Sequence, residues 1–216
     1  VNAHPAKFSA VLLPVLAELL KPERDPILDP MAGVGTLAWF LGEERFVWSN
    51  ELEYEWLDRC PAPRSRQDAR NLPASWAGVF GVICTSPAYG NRMADRYAGD
   101  PKGSRRHTYR IALGRDLHPS NGGGYQWGET YRELHREIWS ECVRVLRPGG
   151  RFVLNVSDHI RGGKTMPVSR WHLETLQGLG LSVEETVAVP TPRNRHGANS
   201  GLRVDCEWVF ALRKHS

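Results

Sequence analysis

The sequence predicts one α/β domain with a doubly wound, mostly parallel sheet that closes in an antiparallel C-terminal hairpin. Three observations predict it. Short apolar runs of strand length alternate with stretches of helical periodicity. A glycine-rich turn joins the first strand to the helix after it. The 216 residues suffice for about one domain able to bury its own sheet.

Ser9 can cap a helix running to about Leu20, and Lys21-Pro22-Glu23-Arg24-Asp25-Pro26 turns the chain into the strand Ile27-Leu28-Asp29. The glycine turn opens a second helix with its apolar face over residues 36–42, and residues 46–50 form the next strand, ending at Glu51. Residues 79–84 are a continuous apolar run, comfortable only as a buried strand. From about 91 to 128 the chain turns polar, glycine-rich and basic, which marks an insertion in a single domain spanning 1–216. Tyr131, Leu134, His135, Ile138, Trp139, Cys142, Val143 and Leu146 then recur at the three-and-four spacing of an amphipathic helix, stopped by Pro148-Gly149-Gly150. A strand over 151–156, a helix over 171–179 and two strands over 181–189 and 204–212 complete the pattern, the last two able to pair antiparallel. Neither an internal repeat nor a heptad pattern is present.

Composition excludes several classes of function. The chain has 28 lysines and arginines against 24 aspartates and glutamates, a net charge of +4 that permits a nucleic-acid partner without requiring one. Placement is more informative. Between Asn91 and His118 stand seven basic residues, Arg92, Arg96, Lys102, Arg105, Arg106, Arg110 and Arg115, against three aspartates, a surplus equal to that of the whole chain. Tyr97, His107, Tyr109, Tyr125 and Trp127 are interleaved with them, so the insertion offers phosphate neutralisers and stacking planes together. A solvated charged loop is the ordinary alternative. Cys60, Cys84, Cys142 and Cys206 show no C-x-x-C spacing, which predicts free thiols in a reducing, cytoplasmic setting and no zinc. The eight histidines form no metal-binding cluster. Residues 10–20, interrupted by Pro14 and Glu18, are too short to span a bilayer, so no membrane partner is expected.

Two constellations carry chemistry. In the first, Asp29-Pro30-Met31-Ala32-Gly33-Val34-Gly35-Thr36 lies between strand and helix, where backbone N–H groups meet a carboxylate or phosphate. The third glycine of a dinucleotide fingerprint is missing, with Ala38 and Trp39 in its place, and no Gly-Lys-Ser/Thr follows for a P-loop. Glu51, at the end of the next strand, stands about where a ribose hydroxyl pair is gripped, and Asp68-Ala69-Arg70 lies in a polar loop able to meet an adenine amino group. A glycine turn alone merely tightens a corner; the three features together predict a nucleoside. In the second, Ser86-Pro87-Ala88-Tyr89 follows the buried strand with a hydroxyl, a fixed carbonyl and an aromatic plane, which suit a planar amine pulled out of a nucleic acid. An ordinary strand-end turn with a half-buried tyrosine is the alternative.

These motifs, in this order, resemble the S-adenosylmethionine-dependent DNA methyltransferases that modify exocyclic amines, making N4-methylcytosine or N6-methyladenine. His4-Pro5-Ala6-Lys7-Phe8-Ser9 is similar to that family's amino-terminal cofactor segment, and Leu146-Arg147-Pro148-Gly149-Gly150 and the closing strand from Arg203 to Arg213 also suit its core. The resemblance covers most of the chain except residues 91–128. It implies a Rossmann-like methyltransferase sheet, S-adenosylmethionine as cofactor, and Lys7, Phe8, Asp29, Ala32, Gly33, Gly35, Thr36, Glu51, Asp68 and Ala69 as its site. It implies Ser86, Pro87 and Tyr89 as the catalytic group, with serine before the proline leaning toward cytosine N4. Arg92, Arg96, Arg105, Arg106 and Arg110 are then the candidate contacts to DNA, with RNA as the alternative partner. The chemistry explains the residue types. The lone pair of an exocyclic amine is delocalised into its ring, so acceptors must draw on its N–H groups to favour a tetrahedral nitrogen. The carbon-5 cytosine enzymes instead attack with a cysteine after a proline, whereas here Cys60 precedes Pro61 in what reads as a polar loop. Ala88 stands where the family usually has a second proline, which frees the loop.

Rival readings are an RNA base-amine or glutamine-amide methyltransferase, and a catalytically silent nucleic-acid-binding module, for which Ala88 is the direct support. Asp158-His159 reads as a structural strand-end pair. Pro192-Arg193-Asn194-Arg195-His196-Gly197-Ala198-Asn199 offers arginines to phosphate or simply closes a hairpin.

Overall fold

The computed structural model describes residues 8–20, 25–94, 108–191, 202 and 204–215, without the Arg92 side chain. Lys7, Arg96, Arg105, Arg106 and the loop at 192–199 lie outside the described residues.

Seven strands form one sheet: β1 (Ile27–Asp29), β2 (Val47–Asn50), β3 (Arg64–Ser65), β4 (Phe80–Thr85), β5 (Leu146–Val156), β8 (Leu181–Pro190) and β9 (Cys206–Lys214). Their order is β3-β2-β1-β4-β5-β9-β8. β1 pairs in parallel with both β2 and β4, and β4 with β5, whereas β9 runs antiparallel to both β5 and β8. The predicted C-terminal pair is therefore present, with its second strand inserted between β5 and β8. The chain reverses its direction of progress across the sheet between β1 and β4, the switch point at which α/β sheets open a crevice beyond their carboxyl ends.

Alternation along the strands sends neighbouring residues to opposite faces. Leu28, Ile83, Phe152, Leu154 and Phe210 join the face covered by α5 (Glu129–Val145) and α6 (Val168–Gly178). Ile27, Val82, Cys84, Val153 and Val209 join the other, covered by α1 (Leu12–Leu20) and α2 (Thr36–Leu41). β1 and β4 are buried along their whole length. In α5 the buried residues are Tyr131, Leu134, His135, Ile138, Trp139, Cys142 and Val145, the predicted face except that Val143 is half-buried and Val145 takes its place in the core.

One boundary and several short elements differ from expectation. β5 starts at Leu146, so Pro148-Gly149-Gly150 ends the helix by becoming an irregular strand opening; the β4 ladder jumps there from the Phe80–Leu146 pair to the Val82–Arg151 pair. The short hairpin of β6 (His159–Arg161) and β7 (Lys164–Met166) was not expected, nor were α3 (Tyr54–Leu57), α4 (Tyr109–Leu113) and the two-residue β3. Elements this short carry too little periodicity to be read from sequence. No helix among the described residues is long and apolar enough to cross a membrane.

Candidate active site

The glycine turn leaves β1 between two buried carboxylates. Asp29, 1% exposed, accepts from the Thr85 hydroxyl at 2.8 Å and the Met31 N–H at 3.3 Å, tying β1 to β4 under the turn. Burial pushes its carboxyl up to about 7, against the pull of those two bonds. Glu51 accepts from the Gly33 N–H at 2.8 Å and from the Glu53 N–H at 2.8 Å. Burial likewise raises it to about 7. The turn needs its second glycine. Gly35 has φ +72°, and a Cβ there would stand 3.0 Å from the Cys60 Cα. Asn50 holds the other side, donating to the carbonyls of Pro30 and Gln67 while accepting from the Ser65 hydroxyl and the Gln67 N–H.

The insertion folds back over this turn, which sequence reasoning did not foresee. Glu53, 1% exposed, accepts from the His118 N–H at 2.8 Å and Asn121 Nδ2 at 3.0 Å, and pairs with Arg115 at 2.7 Å. The result is a cavity of about 80 Å³ floored by Gly33, Glu51, Gln67 and Ala69, roofed by Tyr109 and residues 121–123, and bordered by Ser86 and Ala88. A wider cleft of about 300 Å³ shares Asn121 and Gly123 with it and reaches Arg110 and Tyr125.

Of the expected cofactor residues, Gly33, Glu51 and Ala69 line the cavity. Asp29, Ala32, Gly35 and Thr36 shape the turn without lining it, and Phe8 packs against the α1 and α2 side of the core. Asp68 does not line the cavity, although Ala69 beside it does. Its Oδ1 accepts from the Arg70 N–H and Nε, and its Oδ2 from Arg70 Nη2 at 2.7 Å, so Arg70 orients the carboxylate. Burial opposes ionisation of Asp68, but these bonds outweigh it and bring the carboxyl down to about 2. Cys60 is corrected from a polar loop to a position under the glycine turn, 3% exposed, where its thiol donates to the Gly33 carbonyl. Burial pushes that thiol up to about 12, which suits no nucleophile. The other described arginines of the insertion are paired, Arg110 with Asp116 at 2.9 Å and Arg115 with Glu53 and Glu55. Among the described residues no cluster of histidine, cysteine or carboxylate could hold a metal.

The Ser86-Pro87-Ala88-Tyr89 segment leaves the end of β4 facing the turn. Pro87 is buried. The Tyr89 hydroxyl lies 2.9 Å from Ser86 Oγ, 3.1 Å from Asn155 Oδ1 and 3.0 Å from Glu207 Oε2. Ala88 is held from behind. The Tyr131 hydroxyl donates to the Ala88 carbonyl at 2.5 Å and stands 2.9 Å from His172 Nε2, while Trp139 Nε1 donates to His172 Nδ1 at 2.9 Å. Trp139 can only donate, so the imidazole proton is on Nε2 and passes the chain on to Tyr131. Burial, with His135 nearby, holds His172 well below its usual range, in the neutral form that this order requires. The freedom that Ala88 gives the loop is thus offset by a buried chain from α5 and α6. Tyr131→Phe would strand the Ala88 carbonyl and the His172 donor in the core, and is expected to lower unfolding free energy by about 1–3 kcal/mol. Chemical denaturation measures this; wild-type stability would show the chain to be idle. Beyond the motif, Gly90 has φ +62°, and a Cβ there would come within 2.7 Å of the Trp127 N, which donates to the Gly90 carbonyl.

No protein-family model matches the sequence, and no curated protein matches it significantly. Solved structures do share its fold. The 1,6-didemethyltoxoflavin-N1-methyltransferase of Burkholderia thailandensis, crystallised with bound 1,6-didemethyltoxoflavin and S-adenosylhomocysteine, is 15% identical with a TM-score of 0.55, over 97% of this chain and 80% of that one. The N-methyltransferase NodS of Bradyrhizobium japonicum is 12% identical with a TM-score of 0.58, over 94% of each chain. The [4+2]-cyclase SpnF is 14% identical with a TM-score of 0.59, over 94% of this chain and 80% of that one. The chain therefore has the Rossmann-like fold of S-adenosylmethionine-dependent methyltransferases. Fold alone does not fix the reaction, as the cyclase illustrates.

Proposed function

We propose that the chain binds S-adenosylmethionine between Gly33, Glu51 and Ala69 and transfers its methyl group to an exocyclic amine of a DNA base, cytosine N4 before adenine N6. One observation carries this reading: Ser86, the residue expected to meet the amine, borders the same cavity as Gly33 and Glu51. A carboxylate already fixed by two backbone N–H donors has lone pairs left for ribose hydroxyls. The cavity is smaller than the roughly 300–1,000 Å³ of most ligand pockets, so binding requires the roof at 121–123 to give way toward the wider cleft.

When bound, the cofactor supplies an electrophilic methyl group on sulfur. Ser86 Oγ and the Pro87 carbonyl accept from the amine and turn its lone pair toward that methyl, while the Tyr89 ring offers a face to the extruded base. No covalent intermediate with the protein is needed. A small heterocyclic amine is the second reading, favoured by the ion pairing of Arg110 and Arg115 and by the names of the structural neighbours. Incubation with methyl-labelled S-adenosylmethionine and DNA, RNA, protein or small amines separates these readings: label in DNA supports the proposal, and label elsewhere redirects it.

Burial of Glu51 makes binding pH-dependent. Its carboxyl is raised to about 7, and the ionised form is the one that accepts both ribose hydroxyls. Affinity for the cofactor is expected to fall about tenfold per pH unit below that value and to level off above it. The free protein follows the opposite sign. The contribution of Glu51 to stability is full below its unfolded value of 4.5 and is lost as pH rises toward about 7. Titration calorimetry across pH tests the first part; a flat profile in wild type, like the one expected of Glu51→Gln, would contradict it.

A further inference from the structure

The hydroxyls of Ser86 and Tyr89 have an order that the geometry determines. Tyr89 has one proton, and two of its neighbours, Asn155 Oδ1 at 3.1 Å and Glu207 Oε2 at 3.0 Å, can only accept it. A carboxylate is the stronger acceptor of the two. With the phenol proton committed to them, Ser86 Oγ at 2.9 Å must be the donor to the Tyr89 oxygen. The lone pairs of Ser86 are then left facing the cavity it borders. Glu207 is 7% exposed and stands on β9, which pairs with β5 through the Val156–Trp208 bridge beside Asn155. A charged residue at such a place in a central strand is costly unless it is hydrogen-bonded, and one of its bonds here ends at the Ser86–Tyr89 segment.

We infer that Glu207 is a positioning residue that acts through Tyr89 to hold Ser86 as an obligate acceptor and to carry away the proton released in methyl transfer. The inference rests on the proposed methyl-transfer reading. As the amine nitrogen bonds to the methyl carbon, the carbon–sulfur bond breaks and its electron pair stays on sulfur. The nitrogen proton passes to Ser86 Oγ, the Ser86 proton to the Tyr89 oxygen, and the Tyr89 proton to the Glu207 carboxylate, which returns it to solvent between turnovers. One proton leaves per methyl transferred, and the hydroxyls end as they began. Lysis of this order would follow from an amide in place of the carboxylate, because its NH₂ can donate to Tyr89 and turn the Ser86 hydroxyl toward the cavity as a donor.

The test uses single-turnover methyl transfer to cytosine-containing DNA oligonucleotides by wild type, Glu207→Gln, Tyr89→Phe and the double variant. Tyr89→Phe retains the ring and removes only the hydroxyl. Each single variant is expected to slow the methyl-transfer step by about 10²-fold or more, with cofactor affinity and oligonucleotide KM within about twofold of wild type. The double variant is expected to be no slower than either single one, because the two act as one unit. Wild-type rates in either folded single variant, or multiplying losses in the double variant, would overturn the inference. Should Glu207→Gln fail to fold, Tyr89→Phe decides alone: a wild-type rate overturns it, and a slowed rate at unchanged KM sustains it. A wild type that transfers no methyl to DNA would instead defeat the functional reading itself.

Discussion

Glu51→Ala is expected to weaken S-adenosylmethionine binding by about 1–3 kcal/mol, the range for losing a charged hydrogen-bond partner. The substitution removes more than a ribose contact. It also frees the Gly33 and Glu53 N–H groups that Glu51 now accepts at 2.8 Å each, so the glycine turn loses its tie to the end of β2. Glu51→Gln is the control for shape, since an amide oxygen still accepts from one of those donors. Calorimetry on both variants separates the effects. Unchanged affinity in folded Glu51→Ala would remove this residue from the cofactor site.

Tyr89→Ala is expected to slow methyl transfer by more than about two orders of magnitude, beyond the loss expected of Tyr89→Phe, while leaving cofactor affinity nearly intact. Base–aromatic stacking contributes about 1–3 kcal/mol per base, and each 1.36 kcal/mol is about tenfold in rate. Loss of the hydroxyl adds to this by releasing Ser86 from its partner at 2.9 Å and leaving Glu207 without its donor from Tyr89. Comparison with Tyr89→Phe divides the loss between ring and hydroxyl. An Ala variant as fast as wild type would return Tyr89 to the role of a core aromatic.

Much of the site was legible because its parts are local. The glycine turn, the acidic end of β2 and the Ser-Pro-Ala-Tyr segment each follow a buried strand, and the periodicity of α5 fixes which of its residues face the sheet. Pairwise closure was not legible. Glu53 is buried by residues 115–121, more than sixty positions away, and nothing in its local sequence announces that contact. Placement of β9 between β5 and β8 depends on nonlocal pairing that no short window contains. Glu207 left a usable trace, a lone carboxylate within an apolar strand, but its partner Tyr89 is 118 positions distant. Asp68 was legible as a carboxylate beside the cavity-lining Ala69, but its pairing with the arginine two residues on was not.

The most direct test of the account is to incubate the protein with S-adenosylmethionine carrying a heavy methyl group and DNA, digest the DNA to nucleosides, and identify the labelled product by mass spectrometry. Labelled N4-methylcytosine is the predicted result, and labelled N6-methyladenine would keep the pocket while reversing the choice of base. Labelled 5-methylcytosine, or no label in DNA, would contradict transfer to an exocyclic amine at Ser86.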